Sequence, residues 1–471
     1  MDNEEFRRQA HIMVDWMADF MADVESLPVR AQVQPGQIAA QLPISPPVAG
    51  EQMDDIFADF KDVIMPGMTH WQHPNFFAYF PANTSPEAML GEMLASTVGA
   101  QCMLWQTSPA ATELETRMLE WLGQMIGMPP AFKGCIQDSA SSSTLCAMLN
   151  ARERASGAAS NQAGMNAQAV MTVYTSVEAH SSVEKGARTA GFGSDNVRAI
   201  PSDENFAMDV DLLVQAINED RAAGKIPACV IACLGSTGVG GVDPLRRIGE
   251  VCAGEKIFLH VDAAWAGSYL LLEEYRWMTE GLELVDSFVF NPHKLLLSGL
   301  ECSALFVKDA DSFVETFSLV PAYLKSREGA MVTDYSNWGI QLGRRFRAIR
   351  LWFVIRSYGV SGLQDLLRGH LAMADDVAAW LDAAPEFELM ADRSFALNNF
   401  RYHPDGIDNE AELQRLNQHL LETLNDTGKV YFTQNMVRGK FTIRWNVGQR
   451  TTTARHVRDA FDLLRETARS I

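Results

Sequence analysis

Paired cysteines are missing. The seven cysteines, Cys102, Cys135, Cys146, Cys229, Cys233, Cys252 and Cys302, include no Cys-x-x-Cys pair and no Cys/His spacing of the kind that holds zinc, so no metal site is expected. Their number is odd, which argues for reduced buried thiols and against a disulfide framework. Positive charge is also scarce: 39 lysines and arginines face 59 aspartates and glutamates, a formal charge of -20. That balance excludes electrostatic attachment to nucleic acid or to an anionic membrane. No apolar run reaches membrane-spanning length, and Met1-Asp2-Asn3-Glu4-Glu5 is acidic where a secretory signal is basic. A cytoplasmic protein with a small-molecule partner is expected. The glycine-bearing turn 235–241 is followed by no Gly-Lys-Ser/Thr and lacks dinucleotide spacing, which sets aside kinase and nicotinamide chemistry.

What is present is an ordinary globular composition, 47% hydrophobic and 21% charged over 471 residues. At roughly 150 residues per domain this suggests about three units. Phe6, Ala10, Met13, Val14, Met17, Phe20 and Met21 recur at helical spacing, a proline-marked extended stretch covers 28–48, and a second helix is expected over 51–64. Such an arm cannot bury its own apolar face, so a homodimer is expected. The apolar runs 169–174, 229–234, 257–261, 287–290 and 304–307 alternate with helical patterns and predict a mostly parallel sheet covered on both faces. Residues 156–168 are expected to form a loop. Beyond 360, helices at 361–384, 409–425 and 452–469 with strands at 386–390, 395–402, 429–433 and 440–446 predict a smaller α/β domain. The expected division is 1–80 (arm), 81–360 (large domain) and 361–471 (small domain).

Ligand sites in such sheets gather at the carboxyl ends of strands. Asp262 ends one strand and precedes the small residues Ala263 and Ala264; it can pair with a buried cation or simply cap the next turn. Lys294 lies between His293 and three leucines, an apolar setting that favours a neutral amine for Schiff-base chemistry, although a lysine laying its stem on leucines looks the same. Ser139, Ala140, Ser141 and their neighbours open a helical pattern, where hydroxyls and free N–H groups serve either as caps or as a phosphate cradle. Thr237 and His180 also follow strands. An anchored phosphate, a carboxylate for a pyridine nitrogen, a flat ring and an amine for an aldehyde are what pyridoxal phosphate requires.

The chain resembles the pyridoxal-phosphate-dependent group II decarboxylases of the aromatic L-amino acid type, nearly from end to end. The resemblance is carried by Met65-Pro66-Gly67-Met68-Thr69-His70-Trp71, Phe76-Phe77-Ala78-Tyr79-Phe80-Pro81, His180-Ser181-Ser182-Val183-Glu184-Lys185, His260-Val261-Asp262-Ala263-Ala264, Asn291-Pro292-His293-Lys294 and Leu342-Gly343-Arg344-Arg345-Phe346-Arg347. It implies the aspartate aminotransferase-like fold (fold type I) and a homodimer with intertwined N-terminal arms. It further implies that Lys294 forms the Schiff base, Asp262 pairs with the pyridinium nitrogen and His180 stacks on the ring. Ser139, Ala140, Ser141 and Asn291 would hold the phosphate, with Thr237 and Ala264 near the ring and His293 beside the lysine. Pro321-Ala322-Tyr323-Leu324-Lys325 resembles the family's catalytic loop, whose tyrosine is the proposed proton donor; aldehyde-forming relatives typically carry phenylalanine there. The side-chain pocket implied is Trp71, Tyr79, Phe80, Pro81, Ala82, Gln101, Met103, His293 and Gly343. Ala82, Gln101 and Met103 depart from the animal pattern of threonine, isoleucine and phenylalanine, and Gly343 accompanies indolic substrates among plant relatives. Tryptophan or 5-hydroxytryptophan is therefore expected ahead of tyrosine, DOPA and phenylalanine. An aldehyde synthase, a decarboxylase of a non-aromatic amino acid and an aminotransferase are the competing enzymes.

Overall fold

The computed structural model describes residues 1–165, 169–319 and 331–471. The chain forms two compact units, Ala82–Gly369 and the combination of Met1–Pro81 with His370–Ile471.

In the first unit seven strands form one sheet: β1 Lys133–Gln137, β2 Met171–Ser176, β3 Val197–Ile200, β4 Ile226–Cys233, β5 Phe258–Asp262, β6 Ser287–Phe290 and β7 Ser303–Val307. Their order is β1-β7-β6-β5-β4-β2-β3, with β7 antiparallel to both neighbours and the pairs from β6 to β3 parallel. The mostly parallel sheet of the fold type I architecture is thus present. Residues of β2, β5, β6 and β7 are buried throughout, which is why each reads as a continuous apolar run. The helix Ala140–Ser156 covers the sheet with Ala147, Met148 and Ala151 packed into one cluster with Met171, Val173, Cys229 and Ile231. Strands β1 and β3 escaped the sequence reading: β1 mixes Lys133, Gly134 and Gln137 into a short run, and β3 is a half-exposed edge.

The stretch 156–168 differs from the expected loop, because Ala159–Ala163 is one turn of helix. Polar side chains sustain it: Ser156 Oγ accepts from Ser160 N–H and Glu153 Oε2 from Asn161 N–H, so its composition imitates a loop. The arginines near 344–350 form ion pairs inside this unit. Arg344 is bidentate to buried Glu115, Arg345 meets Glu92, and Arg347 meets Glu301. All seven cysteines are free and buried, and burial raises their thiol pKa values.

The second unit carries an antiparallel sheet, β8 Phe387–Ser394, β9 Leu397–Tyr402, β10 Thr433–Val437 and β11 Lys440–Asn446, in the order β10-β11-β9-β8. Helices Glu410–Asp426 and Ala454–Ser470 accompany it. The strand expected over 429–433 begins only at Thr433. Upstream, Asn425 clamps the backbone N–H and C=O of Phe432, and Tyr431 exchanges backbone hydrogen bonds with Asn75 and Phe77, so that run is paired elsewhere. The helix expected over 361–384 is present: the span Ala348–Asp382 is two helices that meet at Gly359 (φ 64°, ψ 172°), the second running on to Asp382. The N-terminal helix Asn3–Asp23 packs Trp16 on Phe57 and Phe60 of the next helical segment but buries only Gln9. Among the described residues, no helix is long and apolar enough to cross a membrane.

Candidate active site

At the carboxyl edge of the seven-stranded sheet lies a cavity of about 180 Å³, and residues that follow five of the strands, β1, β2, β4, β5 and β6, reach it. After β1 the chain turns at Ser139, the N-cap of the helix Ala140–Ser156 (φ -150°, ψ 159°), whose Oγ accepts from Ser142 N–H at 3.2 Å. Ser139, Ala140 and Ser141 all line the cavity. The N-terminus of a long helix presents free N–H groups and the positive end of its dipole there, with no acidic residue in the first turn to oppose an anion.

After β5, Asp262, a residue only 8% exposed, lines the cavity. Its Oδ1 also accepts from Ala264 N–H at 3.0 Å, so the capping role and the cavity-facing role coexist in one side chain. After β6, Asn291 and Pro292 halt the strand and a four-residue helix, Pro292–Leu295, delivers Lys294 to the wall. The Asn291 side chain is 3% exposed, and its Oδ1 has no hydrogen-bond partner among the described residues. A buried carboxamide left open at a cavity wall suits a polar ligand.

After β2, His180 reaches the same cavity. Its Nδ1 accepts from Ser182 N–H at 3.1 Å and lies 2.8 Å from Ser182 Oγ. An N–H pointing at Nδ1 leaves the ring proton on Nε2, and burial lowers the pKa, so the imidazole is a neutral Nε2–H donor. Beyond β4, Thr237 sits in a turn made possible by Gly235 (φ 85°) and Gly240 (φ 76°) and tied down by the Trp265 indole N–H on Gly235 O at 2.7 Å. Five lining residues were not singled out from the sequence: Ser182, Cys233, Gly235, Ser236 and Trp265. Behind them, Asp243 accepts from Cys233 N–H and Met208 N–H, both at 2.7 Å, and fastens the foot of this turn; burial raises its pKa to about 7. A lone Asp in a loop gives no sequence signal for that role.

His293 does not line the cavity. Its Nδ1 accepts from Cys302 N–H at 2.9 Å. Gln101 and Gly343 are brought together: the Gln101 Oε1 accepts from Arg344 N–H at 2.8 Å, and its Nε2 stands 3.3 Å from where a Cβ on residue 343 would lie. The polar residue thus has a backbone partner of its own, and Met103 O accepts from Ser336 N–H beside it. In the other unit, Trp71 stacks on Tyr79 at 5.7 Å and the Tyr79 hydroxyl lies 3.3 Å from that of Tyr431, which the sequence reading had not included. Tyr79 holds a left-handed φ of 48°, costly for a non-glycine residue. Phe80 lies under the Arg444 guanidinium and Pro81 against Gly448. Ala82 begins the first unit. Tyr323 lies outside the described residues.

Four buried histidines make the protein acid-sensitive. Burial holds His73, His260 and His370 at about 4 and His293 at about 3, against an ordinary value near 6.5. In the window from pH 6.5 down to about 4 the unfolded chain binds these protons and the native one does not, so stability falls as pH falls. Acid titration followed by near-ultraviolet circular dichroism is expected to show cooperative loss in that window with net proton uptake; a flat profile down to pH 4 would contradict it.

A helix N-terminus for an anion, a carboxylate, an amine, an imidazole and small residues converge in one cavity, and this donor set fits pyridoxal phosphate. Comparison with known proteins agrees. Residues 35–403 match the family model described as the pyridoxal-dependent decarboxylase conserved domain. The chain is 39% identical to the aromatic-L-amino-acid decarboxylase of Rattus norvegicus, covering 100% of this chain and 99% of that protein. It is 38% identical to the phenylacetaldehyde synthase of Arabidopsis thaliana, covering 99% and 96%. The crystal structure of Oryza sativa TDC with PLP and tryptamine superposes with a TM-score of 0.97 at 35% identity, covering 100% and 99%.

Proposed function

Since the chain belongs to the pyridoxal-dependent decarboxylase family, we propose that it converts an aromatic L-amino acid to the corresponding amine and carbon dioxide, with tryptophan and 5-hydroxytryptophan ahead of tyrosine, DOPA and phenylalanine. It is a pyridoxal-phosphate-dependent carboxy-lyase. The observation carrying the reading is the convergence of Lys294, Asp262 and the Ser139–Ser141 helix start on one cavity. The bound cofactor supplies an electron sink for the pair left on Cα when the carboxylate departs.

The chain's residues do the rest. Lys294 would supply the amine that holds the cofactor through its aldehyde carbon. Asp262 would keep the ring nitrogen protonated, while Ser139, Ala140, Ser141 and Asn291 would hold the phosphate. Thr237 and Ala264 would lie near the ring. His180 would stack on it, and as a neutral Nε2–H donor it is a poor acid for the final protonation at Cα. That proton is assigned to Tyr323. Trp71, Tyr79, Phe80, Pro81, Ala82, Gln101, Met103, His293 and Gly343 are assigned to side-chain recognition, and the absence of a hydroxyl at Ala82 disfavours a catechol.

The reading includes a cytoplasmic homodimer with intertwined arms, built as residues 1–80, 81–360 and 361–471. Unpaired thiols fit a reducing compartment. Phe6, Leu90, Leu94 and Val98 are 60%, 54%, 48% and 65% exposed in the single chain, apolar surface that a second copy would cover.

The similarity to an aldehyde synthase gives one rival reading, and Tyr323 separates the two. Tyr323→Phe removes the acid and keeps the ring, so oxygen intercepts the electron-rich Cα: aldehyde, ammonia and hydrogen peroxide are expected to replace most of the amine. Amine at the native rate without oxygen consumption would move the proton donor elsewhere. The experiment for the function itself is a panel of L-amino acids with products identified by mass spectrometry. Amine from at least one aromatic substrate and little turnover of glutamate are expected; preference for glutamate or cysteine sulfinate would end the aromatic assignment.

A further inference from the structure

We propose that His260 is a positioning residue for the cofactor: with Thr144, Ser287, Ser143 and Ser303 it forms a buried polar rivet that fixes the phosphate cradle at its height above the sheet. The inference rests on the assignment of the Ser139–Ser141 helix start as that cradle.

His260 lies on β5 two residues before Asp262, so both side chains leave the same face of the strand. It is fully buried, and each ring nitrogen has a hydroxyl neighbour: Nε2 lies 3.2 Å from Thr144 Oγ1 and Nδ1 lies 2.8 Å from Ser287 Oγ on β6. One residue earlier on the helix, Ser143 Oγ donates to the carbonyl of the N-cap Ser139 at 3.1 Å and lies 3.1 Å from Ser303 Oγ on β7. The single Ser143 proton is spent on Ser139, so Ser303 is the donor in that second contact. The first turn of the helix is therefore tied to three adjacent strands, one of which carries Asp262 at its end.

One turn later the same helix packs with Ala147, Met148 and Ala151, all apolar. An apolar contact would have served equally for cohesion at positions 143 and 144, since burying hydroxyls and an imidazole gains little once their desolvation is counted. What directional contacts add is register. Apolar packing is non-directional, whereas a satisfied buried network specifies one arrangement. Burial also keeps His260 neutral at working pH, so the rivet persists over the range in which the enzyme operates.

The test uses full-length Thr144→Val, Thr144→Ser and Ser303→Ala proteins. Three readouts are taken: the pyridoxal phosphate dissociation constant by fluorescence titration of apoenzyme, the ³¹P resonance of the bound cofactor, and the apoenzyme unfolding temperature. Thr144→Val and Ser303→Ala are expected to weaken cofactor binding about tenfold, as loss of a buried hydrogen-bond partner implies, and to move the ³¹P resonance. Thr144→Ser, which keeps the hydroxyl, is expected to restore both. A role confined to packing would lower the unfolding temperature while leaving affinity and resonance as in the wild type, and that result overturns the inference alone. A wild-type ³¹P resonance like that of free cofactor in solution overturns the cradle assignment, and the inference with it.

Discussion

Lys294→Ala is expected to abolish turnover, lowering it by at least about 10⁴-fold, the scale on which removal of a covalent catalytic group acts. Among the residues lining the cavity, Lys294 is the sole lysine, so nothing adjacent can take its place. The fold has little reason to respond. Lys294 sits in a four-residue helix held by its backbone, Lys294 N–H to Asn291 O at 3.0 Å and Asn83 Nδ2 to Lys294 O at 3.2 Å, and alanine keeps both. Far-ultraviolet circular dichroism should therefore match the parent protein while carbon dioxide release disappears and the visible absorbance of the holoenzyme changes. Full activity in this variant would remove the lysine from the chemistry.

The second large effect belongs to Asp262, whose cap and proposed pairing with the ring nitrogen can be separated by substitution. Asp262→Asn keeps an oxygen for the Ala264 N–H but removes the negative charge, so the turn survives while the ring nitrogen would lose the partner proposed to keep it protonated. Decarboxylation is expected to fall about 10³-fold, comparable with deletion of one preorganised electrostatic group, at nearly unchanged thermal stability. Asp262→Ala loses the cap as well and should show both defects. If Asp262→Asn turned over at the parent rate near neutral pH, the side chain would be a cap and nothing more.

Strands β4 to β7 were legible because a strand buried on both faces must be apolar from end to end, and the residue after such a run stands at the sheet edge by geometry alone. His180, Thr237, Asp262 and Lys294 were found in that way, Ser139 from the run of hydroxyls that opens a helical pattern, and the cavity holds all five. The short edge strand β3 lacks that signal. The residues that the reading missed act through backbone atoms or through partners distant in sequence. Asp243 works by accepting two N–H groups, one of them 35 residues away, and Trp265 by donating to Gly235 O. His260 was quoted in the sequence only as part of a motif; its meaning lies in Thr144 and Ser287, 116 and 27 residues distant. Periodicity cannot show which hydroxyl meets which nitrogen. The departure of Gln101 from the animal pattern likewise gave no sign that its carboxamide oxygen is bonded to the Arg344 backbone.

Borohydride reduction of the holoenzyme, followed by proteolysis and mass spectrometry, reveals whether the cavity at the sheet's carboxyl edge holds pyridoxal phosphate through Lys294. A phosphopyridoxyl group on the peptide containing Asn291-Pro292-His293-Lys294, fixed to Lys294, is the predicted result. Its recovery on another lysine, with Lys294 unmodified, would contradict the account.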